Sequence, residues 1–388
     1  MKAYFMLMVL VFTCACATTA PQTKSNPYPN LNDTLFPGYQ HFAPETPEVI
    51  FELSDEAKVF VDKAIRPYEG DMRRMKELVN SIFDHSEMGL QYSGSANATA
   101  TETFEAQVAN CLSLSIMTYA MADYAGYQAQ FYDVDIPEYW TRRDGYSLLN
   151  GHINLKVSQA HQPNIFLATE ASVDVDFDPQ QVREYFQRKA ISKNRVLAMY
   201  YNNKGADALL ANSYTRAYSY FRAGAMADPA FSEVWVNLGV LYRINGANRH
   251  AERAYRRALK ANPGNRTAWE NLAVLYRIEG DEGAASQIMA RLERERDANP
   301  FYHYILGEQS LEEGDVEQAL IHYKRALQRD RSRHEVMFGL GKAFYQLGDI
   351  SRAKHYMELA EKRASAEQDK HKYRGKLSLL QTVVNHSK

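Results

Sequence analysis

From residue 198 onward the apolar and small positions recur every 34 residues, so blocks beginning at Ala198, Ser232, Arg266, Pro300 and His334 align without a gap. Position 8 of each block holds Gly205, Gly239, Ala273, Gly307 and Gly341, and position 20 holds Ala217, Ala251, Ala285, Ala319 and Ala353. Small residues at two fixed points of a helical period predict two antiparallel helices that touch there. Trp235 and Trp269 stand at position 4, while Pro229 and Pro263 stand at position 32, where proline ends one helix before the next block. Tyr373, Leu377 and Leu380 then mark a last amphipathic helix, over 368–388, that would cap the stack.

Upstream, the texture is mixed. Ser54 with Asp55, and Asp71, are N-cap residues for helices near 54–65 and 71–85, whose apolar stripes are Val59, Val61, Ile65 and Met75, Leu78, Val79, Ile82. Asn110 caps a third, with Leu112, Ile116 and Ala120 at four-residue spacing and a stop at Gly126. Alternation then predicts strands over 128–135, 147–157, 164–169 and 172–178. In the second of these Ile153, Leu155 and Val157 share one face, and His152, Asn154 and Lys156 the other. In the last, Val173, Val175 and Phe177 turn inward, so Asp174, Asp176 and Asp178 leave together on the polar side.

The front of the chain changes the picture of where this protein works. Lys2 precedes a run of about ten apolar residues, too short to span a bilayer of roughly 30 Å, which predicts a secretory signal over 1–15. Phe12-Thr13-Cys14-Ala15-Cys16 resembles a lipoprotein box, implying acylation of Cys16, a lipid anchor and the bacterial cell envelope, with the outer membrane facing the periplasm as the expected place. An ordinary signal peptide cut near Ala17 to Thr19 is the alternative. Residues 17–49 hold Pro21, Pro27, Pro29, Pro37, Pro44 and Pro47, so 16–50 is expected to be an extended tether. The C-terminal part from 198 is net +6 and the rest net −8, too mild a contrast to imply nucleic acid.

Lipidation of Cys16 leaves Cys111 as the only thiol of the mature chain, without an intramolecular disulfide partner. It falls on the first turn of its helix, where unpaired N–H groups and the helix dipole favour the nucleophilic thiolate. Cys111, then His152 41 residues later, then Asp176 a further 24 on, resembles the order of the transglutaminase-like branch of the papain-type fold, over roughly residues 55–190. Thr101-Glu102-Thr103-Phe104, Asn110-Cys111-Leu112-Ser113, Asn150-Gly151-His152-Ile153-Asn154 and Val175-Asp176-Phe177 carry the likeness. The chain departs from it at Leu112, where many members are aromatic, and at Asn154, where many have tryptophan. The resemblance implies a nucleophile at Cys111, a base at His152 and an orienting acid at Asp176, with Asp178 and Asp174 as competing acids, acting on peptide amides by hydrolysis or acyl transfer. No H-E-x-x-H, paired C-x-x-C or G-x-S-x-G occurs, so neither a metal nor a cofactor is expected.

The spacing of 34 is that of the tetratricopeptide repeat. The expected architecture is therefore an α+β papain- or transglutaminase-like domain at 51–197 and an all-α solenoid of five such repeats at 198–367. In the near-identical stretches WVNLGVLYRI and WENLAVLYRI, Asn237, Arg243, Asn271 and Arg277 would line a groove suited to a peptide or protein partner. A non-catalytic envelope scaffold is the competing expectation for the whole chain.

Overall fold

The computed structural model describes residues 30–87, 91–92, 96–106, 108–134, 140–143, 146–149, 152–159, 172–177, 188–364 and 367–386. The signal segment, Cys16, the strand expected at 164–169 and Asp178 lie outside the described residues. No helix among those described is long and apolar enough to cross a membrane.

The tether expected over 16–50 is corrected from residue 30 onward, residues 16–29 lying outside those described. Residues 30–51 form two 3-10 turns, Asp33–Leu35 and Tyr39–His41, and helix α1 (Pro47–Phe51). Asn32 and Thr46 cap them locally, α1 packs through Ile50 on the helices Ala100–Glu105 and Cys111–Tyr124, and the two turns fill a slot in the repeats. Phe36 is 2% exposed and stacks on Tyr218 at 4.5 Å, while Asp33 accepts bonds from Tyr218 Oη and the Arg222 guanidinium. The proline count carries no information about a surface so far away in sequence.

Helix α2 (Asp55–Ile65) is capped by Ser54 as expected, whereas α3 (Asp71–Glu87) takes Asp71 into its first turn instead of using it as the cap, and runs two residues past the expected end. Ala57 and Val61 face the core in α2, and Val59 stands exposed. A two-residue parallel ladder joins β1 (Gln91–Tyr92) to β2 (Val108–Ala109), bracketing α4 (Ala100–Glu105). Helix α5 (Cys111–Tyr124) follows, ending where Gly126 adopts φ 83°, a conformation that glycine reaches without strain.

Strands β3 (Gln128–Val134), β4 (Trp140–Arg143), β5 (Tyr146–Leu149), β6 (His152–Ser158), β7 (Ser172–Val175) and β8 (Arg188–Ile191) complete this region. Residues 147–157 were expected as one strand, whereas β5 ends at Leu149 and pairs only with β4, and β6 starts at His152 in the main sheet. The main sheet runs β7-β6-β3-β8, all antiparallel, with Phe131 opposite Leu155 and Leu155 opposite Val175. Its buried face of Phe131, Ile153, Leu155, Val157 and Val175 packs on α5.

Five helix pairs follow: α6 (Lys193–Leu210) with α7 (Tyr214–Ala227), α8 (Ser232–Ile244) with α9 (Asn248–Ala261), α10 (Arg266–Ile278) with α11 (Glu282–Ala298), α12 (Pro300–Glu312) with α13 (Val316–Arg329), and α14 (His334–Gln346) with α15 (Ile350–Arg363). Helix α16 (Glu367–His386) packs on α15 as the expected cap. A Cβ added at Gly205, Gly239, Gly307 or Gly341 would strike Phe221, Tyr255, Tyr323 or Met357, the residue at position 24 of the same block. This is why position 8 must be small. All five position-20 alanines are fully buried. Each turn within a pair holds one left-handed residue, Asn212, Gly246, Gly280, Gly314 and Gly348, again 34 apart.

The stack is not uniform. Val196, Leu197, Tyr200 and Tyr201 of α6 and Tyr220 of α7 belong to the same core as α5 and the sheet. A second core runs through blocks one to three, and a third holds blocks four and five with α16. The break falls at α11, which continues to Ala298 where α7, α9 and α13 stop three residues earlier in their blocks, and Asn299 alone separates it from α12, which starts at Pro300. Helix α6 touches α8, α8 touches α10 and α12 touches α14, but α10 and α12 make no comparable contact.

Candidate functional site

The Asn110 side chain accepts the Ser113 N–H at 2.8 Å, while the Ser113 hydroxyl accepts the Asn110 N–H at 3.0 Å. This reciprocal cap fixes the point at which α5 starts, and therefore places Cys111 at its first position. Nearly every residue from Leu112 to Met121 is buried, so the helix cannot shift along its axis without moving the core. The Cys111 side chain itself is half-buried.

Helix α5 lies across β3 and β6, and β6 begins at His152, opposite Val134. The His152 side chain lies outside the described residues. Asp176 is half-buried and immediately follows β7, so it stands one residue past the ladder, not mid-strand as the alternation implies. The strand ends at Val175 because pairing with β6 ends there, at Leu155. Cys111 is thus on the helix packed against the strand that opens with His152, and Asp176 is the first residue after the neighbouring strand.

Asp174 has a different occupation. Both its oxygens accept from Arg188, at 2.8 and 3.3 Å, and the guanidinium lies 5.1 Å over the Tyr132 ring. A carboxylate held by a bidentate cation from β8 is engaged in joining the edges of the sheet. The third acid, Asp178, lies outside the described residues. Among the described residues, no group of three His, Cys, Asp or Glu side chains converges as metal ligands would.

In the solenoid, Asn237 is half-buried and donates to Asn202 of α6 at 2.8 Å, so it faces the neighbouring first helix. Asn271 donates to the Thr267 carbonyl of its own helix. Beside it Val274 and Ile278 are 37% and 56% exposed, large apolar side chains left open on α10. Arg277 reaches Glu282 at 3.6 Å across the turn between α10 and α11, and the buried Nε of Arg243 lies in the block's interior, near Tyr255. The two arginines therefore serve the turn and interior of their own blocks, whereas the asparagines stay on the first-helix side.

Three polar residues absent from the sequence-based set touch this arrangement. Asn97, Asn203 and Asp207 form hydrogen bonds leading to Asn110. Asn203 could have been found, since it occupies the same block position as Asn237 and Asn271. A cleft of ≈ 490 Å³ between the N-terminal arm and the first block, lined by Tyr39, Pro44, Leu197, Tyr201 and Arg222, also has no sequence signal, because its two walls come from distant segments.

Tetratricopeptide-repeat profiles match residues 232–275 and 310–369, and the C-terminal region accordingly carries these repeats. No curated protein matches the chain. Among solved structures it is similar to YrrB, described as a TPR protein with an unusual peptide-binding site, at 15% identity over 44% of this chain and 89% of that one, TM-score 0.24. It is similar to MamA at 19% identity over 46% and 95%, TM-score 0.24. It is also similar to PilF of Pseudomonas aeruginosa, at 17% identity over 50% and 93%, TM-score 0.26.

Proposed function

We propose that this chain is a protein-binding scaffold of the bacterial cell envelope, lipid-anchored through Cys16, whose repeats receive a peptide or protein partner. The observation that carries the reading is the first-helix face of blocks two and three. There Val274 and Ile278 stand open on α10 at helical spacing from Asn271, and Asn237 holds the same block position on α8, so one face offers both apolar area and amide groups of the kind that bond a peptide backbone. Five stacked pairs give such a face length without any need for catalysis. A photo-crosslinking residue at Ile278 should capture a discrete partner from living cells, and one at exposed Arg256 on α9 should not. Asn237→Ala with Asn271→Ala should weaken that capture. Equal capture from both positions would refute the groove. Mass spectrometry finding an unmodified mature N-terminus at or beyond Ala17 would refute the anchor.

A second reading is supported by one specific feature, the start of the α5 helix at Cys111 against a strand that opens with His152. In it a transglutaminase-like site attacks a peptide amide with the Cys111 thiolate, His152 acts as base and Asp176 orients the imidazole. The proton of the thiol passes to the imidazole and then to the leaving amine, and water or a second amine resolves the thioester. The Arg188 pairing of Asp174 supports Asp176 over Asp174 as the acid. Under this reading Cys111→Ala abolishes turnover of a peptide amide, His152→Ala nearly does, and Asp176→Asn costs more than Asp174→Asn. Undiminished turnover in Cys111→Ala would end it.

A further inference from the structure

The cap of α5 is not closed on itself. Asn110 is 4% exposed, and because its Oδ1 accepts the Ser113 N–H, its Nδ2 must donate elsewhere. It donates to Asn97 Oδ1 at 2.8 Å. The Asn97 amide is oriented in turn by its far side, since Nδ2 donates at 2.7 Å to Asp207, a carboxylate that only accepts when ionised. Asn203 adds a second donor to Asn97 Oδ1 at 3.2 Å. Every amide in the series therefore points the same way, from the first turn of α5 to a carboxylate on α6.

We propose that the first repeat is a positioning element for the Cys111 helix, acting through a one-directional relay Ser113 N–H to Asn110 to Asn97 to Asp207. The relay crosses from the N-terminal region into α6, and Asn203 joins it to the row of asparagines on the first-helix face. Each bond polarises the next, so the anion at the end strengthens the cap at the beginning. Losing the anion leaves Asn97 free to flip. The flipped amide would present N–H groups to the N–H groups of Asn110 and Asn203, and the cap would loosen. The inference stands on this geometry and requires no chemistry from Cys111, so it is independent of both readings of the function.

Hydrogen exchange of the full chain tests it, comparing the first-turn amides of α5, Leu112 to Ser115, with those of α14 as an internal reference. Asp207→Ala and Asn97→Ala should each raise exchange at the first turn by about tenfold, the scale of one lost hydrogen bond, and leave α14 unchanged. Asp207→Asn retains an acceptor oxygen and should restore most of the protection. A substitution that merely disturbed packing would not be rescued in this way. Unchanged α5 protection in both alanine variants would overturn the proposal, and so would Asp207→Asn proving as damaging as Asp207→Ala. Loss of protection in α5 and α14 alike would also overturn it, because the effect would then be global.

Discussion

The two junctions of this molecule contrast. Between the N-terminal region and the first block the sequence changes texture abruptly, yet Tyr200 and Tyr201 sit in the core of α5 and the sheet, and Asn97 bonds to Asp207. Between blocks three and four the 34-residue phase is unbroken, yet the core divides. Polar contacts cross that second junction: Arg329 reaches Asp297 at 2.6 Å, and His303 lies 3.0 Å from the Asp297 carbonyl. Repeat phase reports that each block is a helix pair. It does not report how firmly one block holds the next, which depends on the few side chains and the connector at each step.

The largest effect should come from cutting at each junction. A break between 197 and 198 passes through α6 and its buried tyrosines, so residues 30–197 and 198–388 expressed apart should lack cooperative melting by circular dichroism. A break at Asn299 should leave two folded pieces. Equal outcomes for the two cuts would remove the contrast.

Next in size are single core changes on the sealed side. Gly239→Val places its Cβ on the Tyr255 ring, and Phe36→Ala empties the slot against Tyr218. Denaturant melts should show a loss of about 3 kcal/mol in each case, and Phe36→Ala should also make the arm around residues 30–45 sensitive to protease. Full retention of stability in Phe36→Ala would mean that the arm is not held by the repeats.

The open junction should respond to pH. His303 stands at position 4, where blocks two and three have tryptophan, and copies the indole by directing Nε2 at the position-32 carbonyl. Its ring lies 6.0 Å from that of His322, and the Nδ1 atoms of both are buried without a hydrogen-bond partner among the described residues. Burial holds both imidazoles below the ordinary 6.5, with Arg325 and Arg329 adding to it at His303 and Asp297 opposing. At His322, His303 and Arg325 push the same way as burial. The folded chain thus binds protons less readily than the unfolded one. Stability of blocks four and five should be full above pH 6.5 and fall as the pH drops through the lowered folded values. His303→Trp keeps the bond to Asp297 and should flatten that dependence in thermal melts. A flat profile in the native chain would remove the histidines from the account.

The smallest effect is expected at Arg277. Its ion pair with Glu282 is more than half exposed on both sides, so Arg277→Ala should change stability by only about 0.5 kcal/mol or less. A loss several times larger would show that the guanidinium is a structural part of the turn.

Much of this fold was legible in periodicity. Helix caps at Ser54 and Asn110, the inward faces of β6 and β7, the small residues at positions 8 and 20 and the final cap all rest on spacing within about 30 residues, and spacing is what a sequence displays. The arm, the relay and the Asp174–Arg188 pair join residues through tertiary folding, so nothing local marks them. The break at α11 lies between the two cases. Pro300 at the start of α12 was visible, but the run of α11 to Ala298 was not, since block four lacks the position-32 proline as well and α13 still stops at Arg329. For the candidate site, the position of Cys111 on its helix followed from Asn110, whereas the end of β7 before Asp176 depended on where β6 stopped pairing.

The central claim, a scaffold whose partner face is separate from any chemistry at Cys111, is tested most directly by the rate of Cys111 carbamidomethylation with iodoacetamide from pH 5 to pH 10. The full chain and its His152→Ala variant are compared. The scaffold account predicts the same pH profile in both proteins, with the midpoint that the helix start alone gives the thiol. A midpoint in the full chain well below that of His152→Ala would contradict the account and establish a thiol activated by His152.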